Sequence, residues 1–486
     1  MRRVAGLLAL TLAAGCAVGP DFKSPPPPAV ERYVPGPQPV ETASATGAGG
    51  DAQRFLAGRE VPADWWTAFG SAELDALVAE AFRANPTVAA AQATLRQARE
   101  SLAAQRGVYF PTLDLGASAT RNKNAVEVLS PTLTSGEPLY NLYTAQVNVA
   151  YTLDLFGANR RAVEAAGASA EASRWQLEAT YLTVAGNVVT AAIQLAGLDA
   201  QVAAGERAIA LERDMLGILH RQLERGAVAG LDVAAQETAL AQAEAALPPL
   251  KRQREATLHL LAVLTGRLPA DAPRPALTLD SLTLPTELPI GVPSALVSRR
   301  PDVRAAEANL HVATATVGVN IANLLPQLSI GATFGSAATT TGALLQPYTQ
   351  FWSAGASLSQ TLFAGGMLVH RVRAAEAALD AAGAAYRSTV LGAFQNVADA
   401  LRALEADAAT LAAAERAAAA AERSLAIVRR QLELGGASYL GALNAEQAYA
   451  QAGASLAAAR AARYADTAAL YQALAGPVPA AAGAGR

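Results

Sequence analysis

From Thr112 to Thr120 the chain alternates, with Leu113, Leu115, Ala117 and Ala119 on one side and Asp114, Gly116 and Ser118 on the other. A second run sets Ala145, Val147, Val149, Tyr151, Leu153 and Leu155 against Thr144, Gln146, Asn148, Thr152 and Asp154. Leu328, Ile330, Ala332 and Phe334 begin a third run, and Trp352, Ala354, Ala356, Leu358 and Leu362 a fourth, interleaved with Ser, Thr and Gly. A period of two predicts strands with one apolar and one polar face. Each run has about ten residues, the length a tilted barrel strand needs to cross a bilayer. Aromatics sit near the expected strand ends (Tyr109, Phe110, Tyr143, Phe156, Phe351, Trp352, Phe363), where membrane-interface girdles belong. A soluble, half-buried sheet would show the same alternation.

Between the strand pairs the period changes. Leu177, Tyr181, Val184, Val188, Ala191, Leu195, Leu198, Val202, Ile209, Leu216, Leu219 and Leu223 follow steps of four and three, the 3.5-residue period of a coiled coil. Gly205 and Glu212 interrupt this seam. Val390, Val397, Leu404, Leu411, Leu425, Val428 and Leu432 repeat it later. No proline falls between Ala158 and Arg225, so a single helix of roughly 100 Å is expected there. Its Glu and Arg residues argue against a membrane span. Glycines at Gly226 to Gly230 and at Gly435-Gly436 mark the two turns, each leading into a returning helix.

The chain repeats itself. Pro86, Val88, Leu95, Pro111, Leu113 and Gly116 fall on Pro301, Val303, Leu310, Pro326, Leu328 and Gly331, always 215 positions on. Further along, Asn187, Gln222, Gly226, Leu231 and Glu237 fall on Asn396, Gln431, Gly435, Leu440 and Glu446, always 209 positions on. The expected layout is a first repeat over 63–265, a proline-rich linker over 266–295 and a second repeat over 296–475. A flexible C-terminal tail is expected over 476–486.

Four strands cannot close a membrane barrel, and an open edge in lipid leaves backbone groups unpaired at several kcal/mol each. Single-chain outer-membrane barrels start at about eight strands. A monomer is therefore excluded if the strands span. Two copies would give a barrel whose interior is filled, whereas three give twelve strands and a wide duct. The expected fold class is mostly α with β: a trimeric twelve-strand outer-membrane β-barrel, four strands per chain, continuous with a long α-helical periplasmic barrel.

The N-terminus sets the compartment. Arg2 and Arg3 precede the apolar stretch Val4 to Ala14, and Gly15-Cys16 follows. This is a secretory signal over 1–15, too short to span a bilayer. A cysteine at that point resembles a lipobox, with Leu12 four residues upstream and Ala13 where Leu is usual; ordinary cleavage leaving a free thiol is the alternative. Acylated Cys16 would tether the chain to a membrane without making it span. Residues 16–62, with Pro25 to Pro28, Pro35, Pro37 and Pro39, read as an extended tail, and folded structure is expected to begin near Asp64-Trp65-Trp66.

Composition removes other classes. Charged residues make up 16% with a net charge of −3, and the dispersed Arg residues form no patch for nucleic acid. The single Cys excludes an intrachain disulfide or Cys-rich metal site. His220, His259, His311 and His370 lie far apart and read as helix-face residues, not metal ligands. No phosphate loop, nucleophile elbow or His-Glu-x-x-His pair occurs, so neither an enzyme nor a cofactor is expected, and any duct is passive.

Several stretches resemble the lipoprotein branch of the TolC-like outer membrane factors. They are Cys16-Ala-Val-Gly-Pro-Asp-Phe22, Trp65-Trp66-Thr-Ala-Phe69, Leu296-Val-Ser-Arg-Arg-Pro-Asp-Val303 with Ala306-Glu307, and Pro326-Gln-Leu-Ser-Ile-Gly331. The two Gly-rich turns and the doubled strand-strand-helix-helix order match as well. The resemblance implies a homotrimer in outer-membrane lipid, a periplasmic adaptor and an inner-membrane pump as partners, and export of drugs or other small amphiphiles. It gives Arg300, Pro301 and Asp302 a structural role at a helix start. It also places a gate at the turns, with Asp232, Tyr439 and Asn444 at the closed end and Gly226, Leu231, Gly435 and Leu440 as adaptor-contact tips. Relatives often carry acids where this chain has Gly441 and Asn444, so a second acidic ring is not expected. Asp232 reads equally as a gate carboxylate and as a helix N-cap. The competing readings are a secreted coiled-coil scaffold or adhesin, and a type I protein secretion duct.

Overall fold

The computed structural model describes residues 17–36, 39–123, 139–434, 436 and 438–477. In chain order it contains β1 (Arg54–Ala57), a 3-10 turn at Trp65–Phe69, α1 (Ala72–Ala84), α2 (Pro86–Arg106), β2 (Thr112–Lys123) and β3 (Leu139–Leu153). Then come α3 (Ala158–Glu224), α4 (Gly230–Leu264), β4 (Glu287–Ile290), α5 (Pro293–Arg299) and α6 (Pro301–Ala322). β5 (Gln327–Ala338), β6 (Gln350–Ser359), α7 (Met367–Glu433) and α8 (Tyr439–Leu474) complete it. Helix, with the short 3-10 turns, accounts for 65% of the described residues. In each half a helix leads into two strands, a helix of 67 residues and a shorter returning helix.

The described residues form two compact units, one of residues up to 24 with 96–172 and 307–385, the other of 25–95, 173–306 and 386–477. The first unit is built on an antiparallel sheet of order β2-β3-β5-β6. Its register joins the alternating patterns into continuous rows. Leu115, Val147, Phe334 and Trp352 lie side by side, as do Leu113, Val149, Ala332 and Ala354. The next row, on the opposite face, is Asp114, Asn148, Thr333 and Ser353. Leu155 and Leu362, expected within the alternation, lie beyond the strand ends at Leu153 and Ser359. Phe351 and Trp352 are the second and third residues of β6, near its start, and Phe351 takes the polar face opposite Gly335. A Cβ on Gly335 would come within 2.9 Å of that ring, so the glycine makes room for it.

The second unit holds the large core. Ser71 caps α1, its hydroxyl accepting from Leu74 N at 3.3 Å. Leu74, Leu77, Val78, Ala81 and Phe82 then form one buried stripe at helical spacing. Asn85 breaks the helix before Pro86 and gives its side-chain N–H to Leu264 O at 2.9 Å. Phe82 meets both Trp66 and Tyr181 edge-on, and Trp65 stacks on Tyr471. The seam of α3 is buried along Tyr181, Val184, Val188, Ala191, Leu195, Leu198 and Val202. The most apolar stretch of this helix is mostly buried in protein, as the core helix of a folded unit is.

Packing begins earlier than Asp64. Gln53 is fully buried and donates from Nε2 to Pro285 O and to Thr467 Oγ1, each at 3.0 Å. β1 pairs in parallel with β4, within the stretch read as a linker. Arg463, a guanidinium with no exposed surface, needs acceptors as well. It takes Asp51 O at 2.6 Å and Thr42 Oγ1 at 3.2 Å, so the segment before Asp64 is held against α8. Pro301 opens α6, and buried Arg300 pairs with Asp302 at 2.7 Å while donating to Ala473 O at 3.1 Å.

Candidate functional site

In the first unit the sheet turns an apolar face outward. Leu115 and Trp352 are 82% and 76% exposed, and Leu113, Phe334 and Leu358 are exposed beside them. Such a patch is unusual for a protein in water and marks contact with an apolar phase or a partner. The other face is held by polar contacts: Asn148 Oδ1 accepts from Gln146 at 3.2 Å and from Thr333 Oγ1 at 3.0 Å. β2 and β6 are the open edges of this sheet.

Cys16 lies outside the described residues, but the segment directly after it is docked in the same unit. Val18 N donates to Phe156 O at 3.1 Å, and Arg161 Nη2 reaches Asp21 at 2.5 Å. Phe22 stacks on His311 with ring centres 4.3 Å apart, and His311 Nε2 lies 2.8 Å from Glu164. Burial alone would raise the Glu164 carboxyl, yet hydrogen bonds from Arg161 and His311 hold it below the usual range. Gly19 has φ +94, and a Cβ there would sit 2.5 Å from Gly318 Cα, so glycine is required twice over.

The hairpin turns belong to the second unit. Helix α3 ends as Gly226, at φ +68, turns its N–H to Leu223 O while Ala227 N bonds Gln222 O. The N-cap of α4 is Ala229, not Asp232. Asp232 stands three residues further in, and its carboxylate accepts from Ala229 N at 3.2 Å. The alanine has no acceptor to return, so only half of a capping box exists. Opposite, Ser438 caps α8 and accepts from Gly441 N at 3.2 Å.

These ends enclose a cleft of about 270 Å³ lined by Leu231, Asp232, Ala235, Gln236, Tyr439, Leu440 and Leu443. It therefore brings together Asp232, Tyr439, Leu231 and Leu440. Asn444 is exposed and forms no part of the wall, and Gly226 is exposed at its own turn. Gly435 lies outside the described residues. Tyr439 Oη donates to Gln222 Oε1 at 2.9 Å, and burial, then the Asp232 charge, raise its pKa. Leu231 and Leu440 are 79% and 64% exposed at the rim. Sequence reasoning missed Gln222 and Leu443. It also missed a buried group behind the cleft, Glu212 with Gln236, Arg429 and Glu446, whose one visible signal was the acidic break in the α3 seam.

The chain is similar to known proteins. The family described as outer membrane efflux protein matches residues 77–267 and 292–476. Pyoverdine export outer membrane protein OpmQ of Pseudomonas putida is 31% identical over 343 residues, 70% of this chain and 72% of that protein. Outer membrane protein OprJ of Pseudomonas aeruginosa is 28% identical over 400 residues, 82% of this chain and 79% of OprJ. Among solved structures, the outer-membrane channel OprN superposes with a TM-score of 0.84 at 28% identity, covering 95% of this chain and 100% of that one. The outer membrane protein VceC of Vibrio cholerae gives 0.78 at 26% identity, over 86% of this chain and all of VceC. The fold is thus that of the TolC-like channels. The chain belongs to the outer membrane efflux protein family and is an outer-membrane efflux channel.

Proposed function

We propose that this protein is the passive exit duct of a three-part efflux system, working as a homotrimer. The observation that carries the reading is the four-stranded sheet with one exposed apolar face and two open edges. Those edges demand partners in lipid, and three copies supply them as a twelve-strand barrel. The doubled element order supports two sequence repeats, over 63–265 and 296–475, joined through 266–295. Residues 1–15 act as the signal peptide and 16–62 as the anchored tail; acylation of Cys16 fits the docked segment that follows it. The exposed leucines of the hairpin cleft suit a periplasmic adaptor, and an inner-membrane pump supplies the energy that the chain has no nucleotide site to provide.

OpmQ is named for pyoverdine export, and relatives 28% identical are named for solvent and toluene efflux. The cargo proposed here is a small amphiphile of that kind, not a folded protein. Purification tests the reading directly. Detergent extraction should yield heat-modifiable trimers that conduct in planar bilayers. Recovery as a soluble protein without detergent would favour a secreted scaffold instead.

A further inference from the structure

Glu212 breaks the apolar seam of α3 and is nevertheless 4% exposed. Gln236 of the neighbouring helix bonds it directly, and the buried pair Arg429 and Glu446 of the second hairpin lies close enough for both charges to act on it. Gln236 of α4, 3% exposed, gives its amide hydrogens to the Glu212 carboxylate and, at 3.2 Å, to the Glu212 carbonyl. Glu446 of α8, 2% exposed, supplies a second carboxyl, and Arg429 of α7 binds it at 2.8 Å. The group contains two carboxyls, one cation and one neutral amide. Glu446 Oε2 and Arg429 Nε have no hydrogen-bond partner within it. One helical turn away, Met215, Leu219, Val233 and Ala442 form a small separate core between the hairpins.

Full ionisation would leave one uncompensated negative charge between packed helices, a costly state that a single retained proton avoids. We propose that Glu212, Glu446 and Arg429 form a proton-dependent bolt between the two hairpins, closed while the carboxyl pair keeps one proton and loosened when that proton leaves. The charged groups acting on Glu212 are Glu446 from α8 and Arg429 from α7, while α4 presents only Gln236. Burial first, and then the Glu446 charge, push Glu212 up to about 7, and burial raises Glu446 as well.

Separating the hairpins would return Glu212 to water, where its ordinary value is 4.5. The packed state therefore holds the proton more tightly than the separated one. Its advantage is complete below the lower value, declines as pH rises toward the upper one, and is lost above it. The consequence for a gate rests on the channel reading; the pH-dependent packing of the hairpins does not.

The test uses spin labels on Thr238→Cys and Ala448→Cys in the purified full-length protein, with distances read by pulsed resonance from about pH 5 to about pH 8. In the otherwise wild-type protein the ratio of short to long distances should fall by roughly tenfold or more, the effect of one unit or more of pKa difference. Glu212→Gln should stay at the short distance throughout. Glu446→Gln, which lets Arg429 balance Glu212 when it ionises, should weaken the pH response. A wild-type distance that ignores pH, or a Glu212→Gln protein that keeps the wild-type profile, overturns the bolt. If the distances respond as expected but the protein conducts at no pH, the channel reading fails and the bolt stands.

Discussion

Tyr439 Oη gives its hydrogen to Gln222 Oε1 at 2.9 Å, so the first residue of α8 is tied to the last turn of α3. This is a direct side-chain link between the two hairpins beside the Asp232 cleft. With its pKa raised, the phenol remains a donor at any physiological pH. Tyr439→Phe keeps the ring and removes the bond, a loss of about 0.5–1.5 kcal/mol. Single-channel recordings should show a few-fold rise in open probability with unchanged open conductance. An unchanged open probability would show that the link does not hold the gate.

The rows Leu113, Val149, Ala332, Ala354 and Asp114, Asn148, Thr333, Ser353 make opposite demands on neighbouring residues of one strand. Val149→Arg should put a charge into lipid and cost roughly 2–4 kcal/mol at mid-bilayer, seen as loss of folded trimer. Asn148→Arg forfeits two hydrogen bonds on the polar face and should assemble with only a modest loss. Equal yields from the two variants would remove the barrel assignment.

Val149 and Asn148 were readable in the sequence because period two is a local signal, and so was the seam through Tyr181, Val184 and Val188. Long-range pairings left no such trace. β1 and β4 are four-residue strands more than two hundred residues apart in sequence, and a Pro-rich setting hides both. Arg463 gives no hint in its neighbours that it is buried and draws Thr42 and Asp51 onto α8. Phe351 defeats an alternation rule because its place on the polar face depends on a glycine in another strand, Gly335. At the hairpins, Asp232, Tyr439, Leu231 and Leu440 could be named, but Glu212 stood out only as an interruption. The groups that act on it come from three other helices, and single-sequence periodicity cannot see across helices.

Cys16 is followed by a segment held through Val18, Asp21 and Phe22. Cys16→Ser should abolish fatty-acid labelling and lipoprotein-type processing in cells. Gly19→Val should leave labelling intact while disturbing the docked segment, because φ +94 and the contact with Gly318 both exclude a side chain. Limited proteolysis near residue 19 reads that second effect. A wild-type protein that never takes up labelled fatty acid would end the lipid-anchor proposal.

Asp232 contributes to its own helix through Ala229 N, yet its carboxylate also lines the cleft shared with Tyr439 and Leu440. In a trimer, three such carboxylates near one axis would repel one another and attract cations. Gly441 and Asn444 add no acids of their own, so Asp232 is the one carboxylate in the cleft wall. Asp232→Ala should weaken cation selectivity and multivalent-cation block in planar bilayers, and removing the capping bond should cost about 1 kcal/mol locally. Asp232→Asn separates the two effects, since its amide oxygen still accepts from Ala229 N while the charge is gone. If Asn behaves as the wild type does in selectivity and block, the residue is a helix cap only. The rim leucines test the partner at the same place: cysteines at Leu231 and Leu440 should crosslink to a periplasmic adaptor in cells. Crosslinks that form only from sites far from both turns would move adaptor docking away from the hairpin ends.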